Sequence, residues 1–152
     1  MSYIMDLRKI VGSRPLIMAG AAVIVPDSER RILMQLRKDN GCWGLPGGSM
    51  ELGEQLEETA RRELFEETGI KAKNLTLLAI FSGKELYYRY PHGDEVFNVV
   101  AAYVCGSYEG FLQRQEQEVE DLRYYYLNSL PEKINPVDIP IIEAFRAYES
   151  EK

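Results

Sequence analysis

Three glutamates, Glu63, Glu66 and Glu67, stand at i, i+3 and i+4 in a stretch of strong helix formers. At about 100° per residue they fall within roughly 100° of arc on one helix face. Carboxylates so placed repel one another, by roughly a few tenths of a kcal/mol per exposed pair, and a divalent cation reverses the sign. Hard oxygen ligands without a neighbouring His or Cys suit Mg²⁺ or Mn²⁺ and not zinc. The bland alternative is a solvated acidic face tied down by Arg62, which has Glu58 and Glu66 four residues to either side. A Ser-His-Asp or Cys-His mechanism would have to use the single histidine, His92, which follows a proline in a turn-like stretch and reads as a surface loop residue. The chemistry therefore falls to the carboxylates.

These acids belong to a longer pattern. Gly48 is followed by five residues and Glu54; seven more residues lead to Arg62-Glu63-Leu64-Phe65-Glu66-Glu67-Thr68-Gly69-Ile70. From ordinary amino-acid usage, a chance match of all the fixed positions in a chain of this length is on the order of 10⁻⁸. The pattern resembles the Nudix box, and all nine of the box's fixed positions are filled. The lead-in Trp43-Gly44-Leu45-Pro46-Gly47-Gly48 is also similar to this family.

The resemblance implies an α+β fold, a Nudix-type α/β/α sandwich around a mixed β-sheet. It implies a magnesium-dependent hydrolase (Mn²⁺ being able to substitute) that cleaves the pyrophosphate bond of a nucleoside diphosphate linked to another group. It makes the Gly47 carbonyl a further metal ligand beside Glu63, Glu66 and Glu67. It links Glu54 to Arg62 by a salt bridge that holds the acidic face in place. An acidic residue from a later loop often completes such sites as ligand or base. Here Glu116, Glu118 and Glu120 compete for that role, with Glu118 favoured against a merely solvated loop. Candidate substrates are ADP-ribose or another nucleotide sugar, a diadenosine polyphosphate, or a modified nucleoside triphosphate. Glu85 occupies the position where a proline marks ADP-ribose enzymes, and Tyr87 fits the diadenosine polyphosphate marker. The segment Leu7 to Leu16 resembles bacterial members labelled ADP-ribose pyrophosphatases and pulls the other way. The alternative within the family is a catalytically inactive nucleotide-binding regulatory module. Such modules usually lose box glutamates, and none is lost here. Dimers are common among similar proteins.

Composition narrows the field independently. The chain of 152 residues, 45% hydrophobic and 28% charged, suits one globular domain over residues 1–152. A net charge of −6 argues against non-specific nucleic-acid binding but leaves a small phosphorylated substrate open, since a bound metal supplies positive charge locally. Cys42 and Cys105 form no CxxC and read as free thiols in a reducing compartment. The longest apolar run, Leu16 to Val25, is too short to span a bilayer, and no signal peptide is evident, so a cytoplasmic protein is expected with no membrane partner.

The elements that must position the acids can be read from periodicity. Ser2 is placed to cap a short helix carrying Ile4, Leu7, Ile10 and Val11, closed by Pro15. Leu16 to Val25 reads as a buried strand, joined through the turn Pro26-Asp27-Ser28-Glu29 to a second strand, Arg31 to Arg37, as a hairpin. Glu54 to Thr68 reads as the helix of the acids, stopped by Gly69, with Leu64 and Ile70 in the core. Asn74–Ser82, Glu95–Val104 and Arg123–Leu127 read as further strands. Asp138 is placed to cap a last helix with Pro140 in its first turn. Trp43 reads as packing rather than base stacking, and Tyr87, Tyr88 and Tyr90 as strand packing or an aromatic patch. Arg37 and Lys38 read either as phosphate contacts or as hairpin-end charges.

Overall fold

The computed structural model describes residues 2–151. Helix α1 (Tyr3–Val11) starts as its sequence requires, with the Ser2 hydroxyl accepting the Met5 N–H at 3.2 Å. Strand β1 (Leu16–Ile24) then runs through the centre of a five-stranded sheet. Its neighbours are β4 (Gly47–Ser49) on one edge and β7 (Glu95–Glu109) on the other. Beyond β7 lie β5 (Lys71–Phe81) and the short β6 (Tyr87–Arg89). The β1–β7 pairing is parallel and in register from Leu16↔Val96 to Ile24↔Val104, and the other pairings are antiparallel, so the sheet is mixed.

The apolar character of β1 has a cause from Gly20 onward, where both faces of the strand are covered, whereas Ile17 in its first half is exposed. Ala22 and Ile24 pack with Ile32, Met34, Ala102 and Val104 against Ile141, Ile142 and Phe145 of α3 (Ile139–Ser150). Ala21 and Val23 pack with Leu33 and Cys105 against Ala60 and Leu64 of α2 (Leu56–Thr68), with Ile70 just beyond it. The fold is α+β, with helices on both sides of a mixed sheet.

The expected hairpin between β1 and β2 (Arg31–Arg37) is corrected by the structure. β2 joins a second, antiparallel sheet between β3 (Trp43–Gly44) and β8 (Val119–Tyr126). Both edges of β1 are already taken, so the main chains pair only at a Pro26↔Ile32 bridge and in the hydrogen bonds beside it, while the side chains of the two strands share the core. The turn itself is built as expected, with the Asp27 carboxylate accepting the N–H groups of Glu29 and Arg31.

Two boundaries also shift. Helix α2 begins at Leu56, with the Gln55 N–H donating to the Glu58 carboxylate at 2.9 Å, and leaves Glu54 outside. It ends where expected, at Gly69 in a left-handed conformation with φ 80°. Strand β8 begins at Val119, so Glu118 sits at a strand entrance rather than in mid-loop. Asp138 flanks α3, but its side chain does not cap it; the carboxylate turns inward to accept the Leu45 N–H at 3.1 Å.

Candidate active site

The glycine turn and α2 face each other across a narrow gap. Val23 N donates to Pro46 O, and Met50 N donates to Ala19 O. Antiparallel pairs alternate between bonded and non-bonded, so the Ala22↔Gly47 and Gly20↔Ser49 pairs are of the non-bonded kind. The main-chain groups of Gly47 and Ser49 therefore turn away from β1 and toward α2. Gly47 N donates to Glu67 Oε1 at 2.8 Å, and Ser49 O accepts from Arg62 at 3.0 Å. The same register directs the Gly47 carbonyl toward the acids, as a ligand role would need. At Gly48 there is no room for a side chain: a Cβ would lie 2.6 Å from Oε2 and 2.7 Å from Oε1 of Glu63.

Arg62 is the brace. Its Nε and Nη2 grip Glu54 in a fork at 2.6 and 3.0 Å, while Nη1 reaches Glu63 at 2.8 Å and Glu66 at 3.4 Å. Glu54 also accepts from Glu51 N and the Thr59 hydroxyl, both at 2.9 Å. The Arg62 contact, first among these, holds the Glu54 carboxyl down at about 2. Glu54 is thus a fixed anion whose hydrogen bonds are already committed to structure.

The acids facing the gap behave in the opposite way. Burial pushes Glu67 up to about 8, aided by the charge of Glu63 and opposed by the Gly47 N–H and the Gln35 amide. Burial likewise pushes Glu63 up to about 7, against the pull of Arg62 and with a push from Glu66 and Glu118. Burial disfavours the charged form of both carboxylates, a cost that a divalent cation would offset. Among the described residues no three acidic, His or Cys side chains already close into a cage. Glu66 leans outward, its side chain 54% exposed beside Arg62. The donor set nevertheless fits a hard cation: Glu63, Glu66 and Glu67 with the Gly47 carbonyl offer only oxygen.

Glu118 is brought to the same place. It lines a cavity of about 400 Å³ with Gln35, Arg37, Lys38, Asp39, Glu67 and Gln117, and its charge is felt at Glu63. Its loop is pinned at both ends. Gln113 N and Gln115 N donate to the Thr68 and Glu67 carbonyls at the end of α2, and Lys38 N donates to Glu118 O at 3.0 Å. The Lys38 ammonium also donates to the Glu116 carbonyl, and lies 4.0 Å from Glu120. Glu116 and Glu120 therefore serve the loop through Lys38, and neither lines the cavity. Lys38 is a clamp, and Arg37 is paired with Asp39 at 2.7 Å.

Sequence reasoning missed the other side of the glycine turn. A smaller cavity of about 110 Å³ is lined there by Gly47, Gly48, Tyr88, Tyr90, Asn98, Asn135 and Asp138, among others. Asp138 is buried, and burial pushes its carboxyl up to about 6. Asn135 donates to it at 3.3 Å, and Asn40 donates to Tyr88 Oη at 2.8 Å. An Asn-Pro pair before a helix carries no distance information, so only the Trp43–Ile134 bridge, made in the fold, reveals this wall. Of the tyrosines, Tyr88 and Tyr90 line the cleft. Tyr87 packs on Phe97 and donates to Glu95, outside it. Trp43 packs edge-on against Tyr125, in keeping with a packing role. His92 is exposed beside Asp94, away from the acids, and both cysteines are free.

Comparisons with known proteins agree with this fold. Residues 16–145 match the family model of the NUDIX domain. The ADP-ribose pyrophosphatase of Methanocaldococcus jannaschii is 35% identical over 108 residues, which is 69% of this chain and 60% of that protein. The NAD-capped RNA hydrolase NudC of Chromobacterium violaceum is 32% identical over 99 residues, 65% of this chain and 34% of that protein. The chain thus spans less than two thirds of the length of these relatives. Among solved structures, a MutT NUDIX hydrolase from Burkholderia pseudomallei superimposes with a TM-score of 0.71 at 27% identity, covering 86% of this chain and 98% of the other. Matched along most of its length and carrying every fixed residue of the box, the chain belongs to the Nudix family.

Proposed function

We propose that this protein is a Mg²⁺-dependent hydrolase, with Mn²⁺ able to substitute, that cleaves the pyrophosphate bond of a nucleoside diphosphate linked to another moiety. One observation carries the reading: the Glu54–Arg62–Ser49 brace holds Glu63, and the Gly47 N–H holds the buried Glu67, so that both carboxylates are fixed against the glycine turn. Glu63, Glu66, Glu67 and the Gly47 carbonyl would hold the metal, which when bound neutralises the charge of the pyrophosphate. Glu118 takes the proton of the attacking water. The water oxygen bonds to phosphorus, the anhydride P–O bond breaks, and the products are two phosphate monoesters. Arg62 holds Glu63 in place and touches no substrate.

The cleft beyond Gly48 supports a nucleoside at that end. Tyr88 and Tyr90 line that cleft, and the Asn135–Asp138 pair, held by Leu45 N and Asn40, forms its polar wall. ADP-ribose and related nucleotide sugars are the favoured class, in line with the relative from M. jannaschii. No helix among the described residues is long and apolar enough to cross a membrane. A cytoplasmic site of action belongs to the same proposal, in keeping with two cysteines that stay unpaired.

The test is a screen of purified protein against a panel of nucleotide anhydrides with and without Mg²⁺. Metal-dependent release of a nucleoside monophosphate is expected. Nucleotide binding without turnover would instead establish the regulatory-module reading, which the intact acid set disfavours.

A further inference from the structure

One face of the central sheet runs on past the glycine turn. Met18, Gly20 and Ala22 of β1 lie in register with Asn98, Val100 and Ala102 of β7, on the face that α3 covers further along. Gly20, Ala22, Asn98 and Val100 line the cleft that holds Asn135 and Asp138. Met18 and Val96, at the other end of the same rows, floor a second and larger cavity of about 550 Å³. Gly47 stands opposite Ala22, so the glycine turn and Met18 are four residues of β1 apart. That is roughly 13 Å, comparable with the length of a nucleoside. Met18 and Tyr90 line both spaces and join them. Tyr88 meets Tyr90 edge-on, and the His92 ring stacks beyond it, with centroids 5.4 Å apart and planes 10° apart. An aromatic wall therefore runs from the cleft into the cavity.

The roof of the cavity is α1, which precedes the residues, 16–145, that match the family's domain. An amphipathic helix ordinarily buries its apolar stripe. Here Ile4, Leu7 and Val11 share one side, yet no residue of α1 is buried. Arg8 ties the helix to its surroundings. Its Nη1 donates to the Gly12 and Arg14 carbonyls at 2.9 and 2.6 Å, its Nη2 donates to the Glu95 carbonyl, and its Nε faces Asp94 at 3.5 Å. With all three nitrogens turned to protein oxygens, this guanidinium serves the tether and not a phosphate. What remains to a ligand is the apolar floor, the underside of the helix and the ring faces, in a space of ordinary ligand-pocket size. Such a lining suits an uncharged flat ring.

We propose that the α1 cavity is the base pocket of the substrate: the ribose lies in the cleft beside Asn135 and Asp138, and a purine base lies beyond it, between Ile4, Met18 and the Tyr90–His92 rings. This rests on the proposed cleavage of a nucleoside diphosphate derivative and names the feature that recognises its nucleoside end. A purine, the larger kind of base, fills a cavity of this size better than a pyrimidine. α1 then selects the substrate and takes no part in the cleavage.

The chain has a single histidine, so untagged protein gives one set of imidazole C–H signals in a proton NMR spectrum. The probes are adenosine 5′-monophosphate and ribose 5-phosphate, added without metal at fixed pH. The monophosphate should bind about 10-fold more tightly or better, and should shift the His92 signals through the ring current of the adenine. Ribose 5-phosphate should leave them in place. Met5→Trp, which sets a larger ring on the cavity wall, should weaken adenosine monophosphate binding about 10-fold and leave ribose 5-phosphate binding unchanged. His92→Ala, on an exposed turn where folding is not at stake, should weaken it about 3- to 10-fold. A His92 signal unmoved at saturating adenosine monophosphate overturns the proposal. So does equal affinity for the two probes, or wild-type affinity in both variants. None of these readouts needs turnover, so the base pocket is judged even if the panel of anhydrides yields no substrate.

Discussion

Arg62 holds three carboxylates and a main-chain carbonyl at once, and its planar fork is what allows this. Arg62→Ala should therefore lower kcat and the response to Mg²⁺ with little change in KM, and Arg62→Lys should not restore either. Steady-state kinetics across a metal titration checks this, and a rise in KM alone would assign Arg62 to substrate binding. Glu118 and its neighbours make a sharper contrast. Glu118→Gln should cost about 10²–10⁴ in kcat with Mn²⁺ affinity kept, as the loss of a general base does. Glu116→Gln should cost little, because Lys38 uses its main-chain carbonyl. The i, i+3, i+4 spacing makes Glu63, Glu66 and Glu67 legible in the sequence, since a helix turns local spacing into a shared face. Spacing does not reveal that Glu66 leans out toward solvent while Glu67 is buried, because that depends on what stands opposite each one.

At the scale of elements, α2 is legible because its signals are local: strong helix formers within, Gly69 behind. The partner of β2 is not. A hairpin turn can be read in Pro26–Glu29, but whether β1 has a free edge is decided by Gly47–Ser49 and by Glu95–Glu109, far along the chain. Asp138 misleads for a similar reason, as a good cap type placed before a helix but drawn inward by Leu45 N. The loop carrying Glu118 is an element without regular structure, yet it is fastened to α2 by Gln113 and Gln115 and to β2 by Lys38. Removing that clamp with Lys38→Met should lower kcat in the wild-type background. In a Glu118→Gln background the same change should have little further effect, as for two residues serving one function. Additive losses in the double-mutant cycle would mean that Lys38 acts elsewhere.

For the whole molecule, the raised carboxyls set how stability depends on pH. Glu67 near 8, Glu63 near 7 and Asp138 near 6 all lie above their unfolded values, so the folded state holds more protons than the unfolded one between about pH 4 and pH 8. Stability contributed by these groups is complete at the acid end of that window and is lost as pH rises through it. Glu54 acts oppositely, losing its contribution as pH falls toward 2. Without metal, the melting temperature should therefore fall from pH 5 to pH 8.5. Glu67→Gln or added Mg²⁺ should flatten the slope, and a metal-free melting temperature that rises with pH would contradict this. One further consequence follows from the parallel pairing of β1 with β7, whose partners Leu16 and Val96 are 80 residues apart. Loop-closure entropy must be met before that pairing returns anything, so the central strand, paired early with β4, waits for its second neighbour until β7 has been made. A nascent chain stopped before Glu95 would display the apolar β1 with one edge bare, a template for aggregation. The two walls of the proposed site, drawn from residues 47–67 and from Glu118, can meet only after release of nearly the full chain, so activity should appear late in synthesis, and all at once.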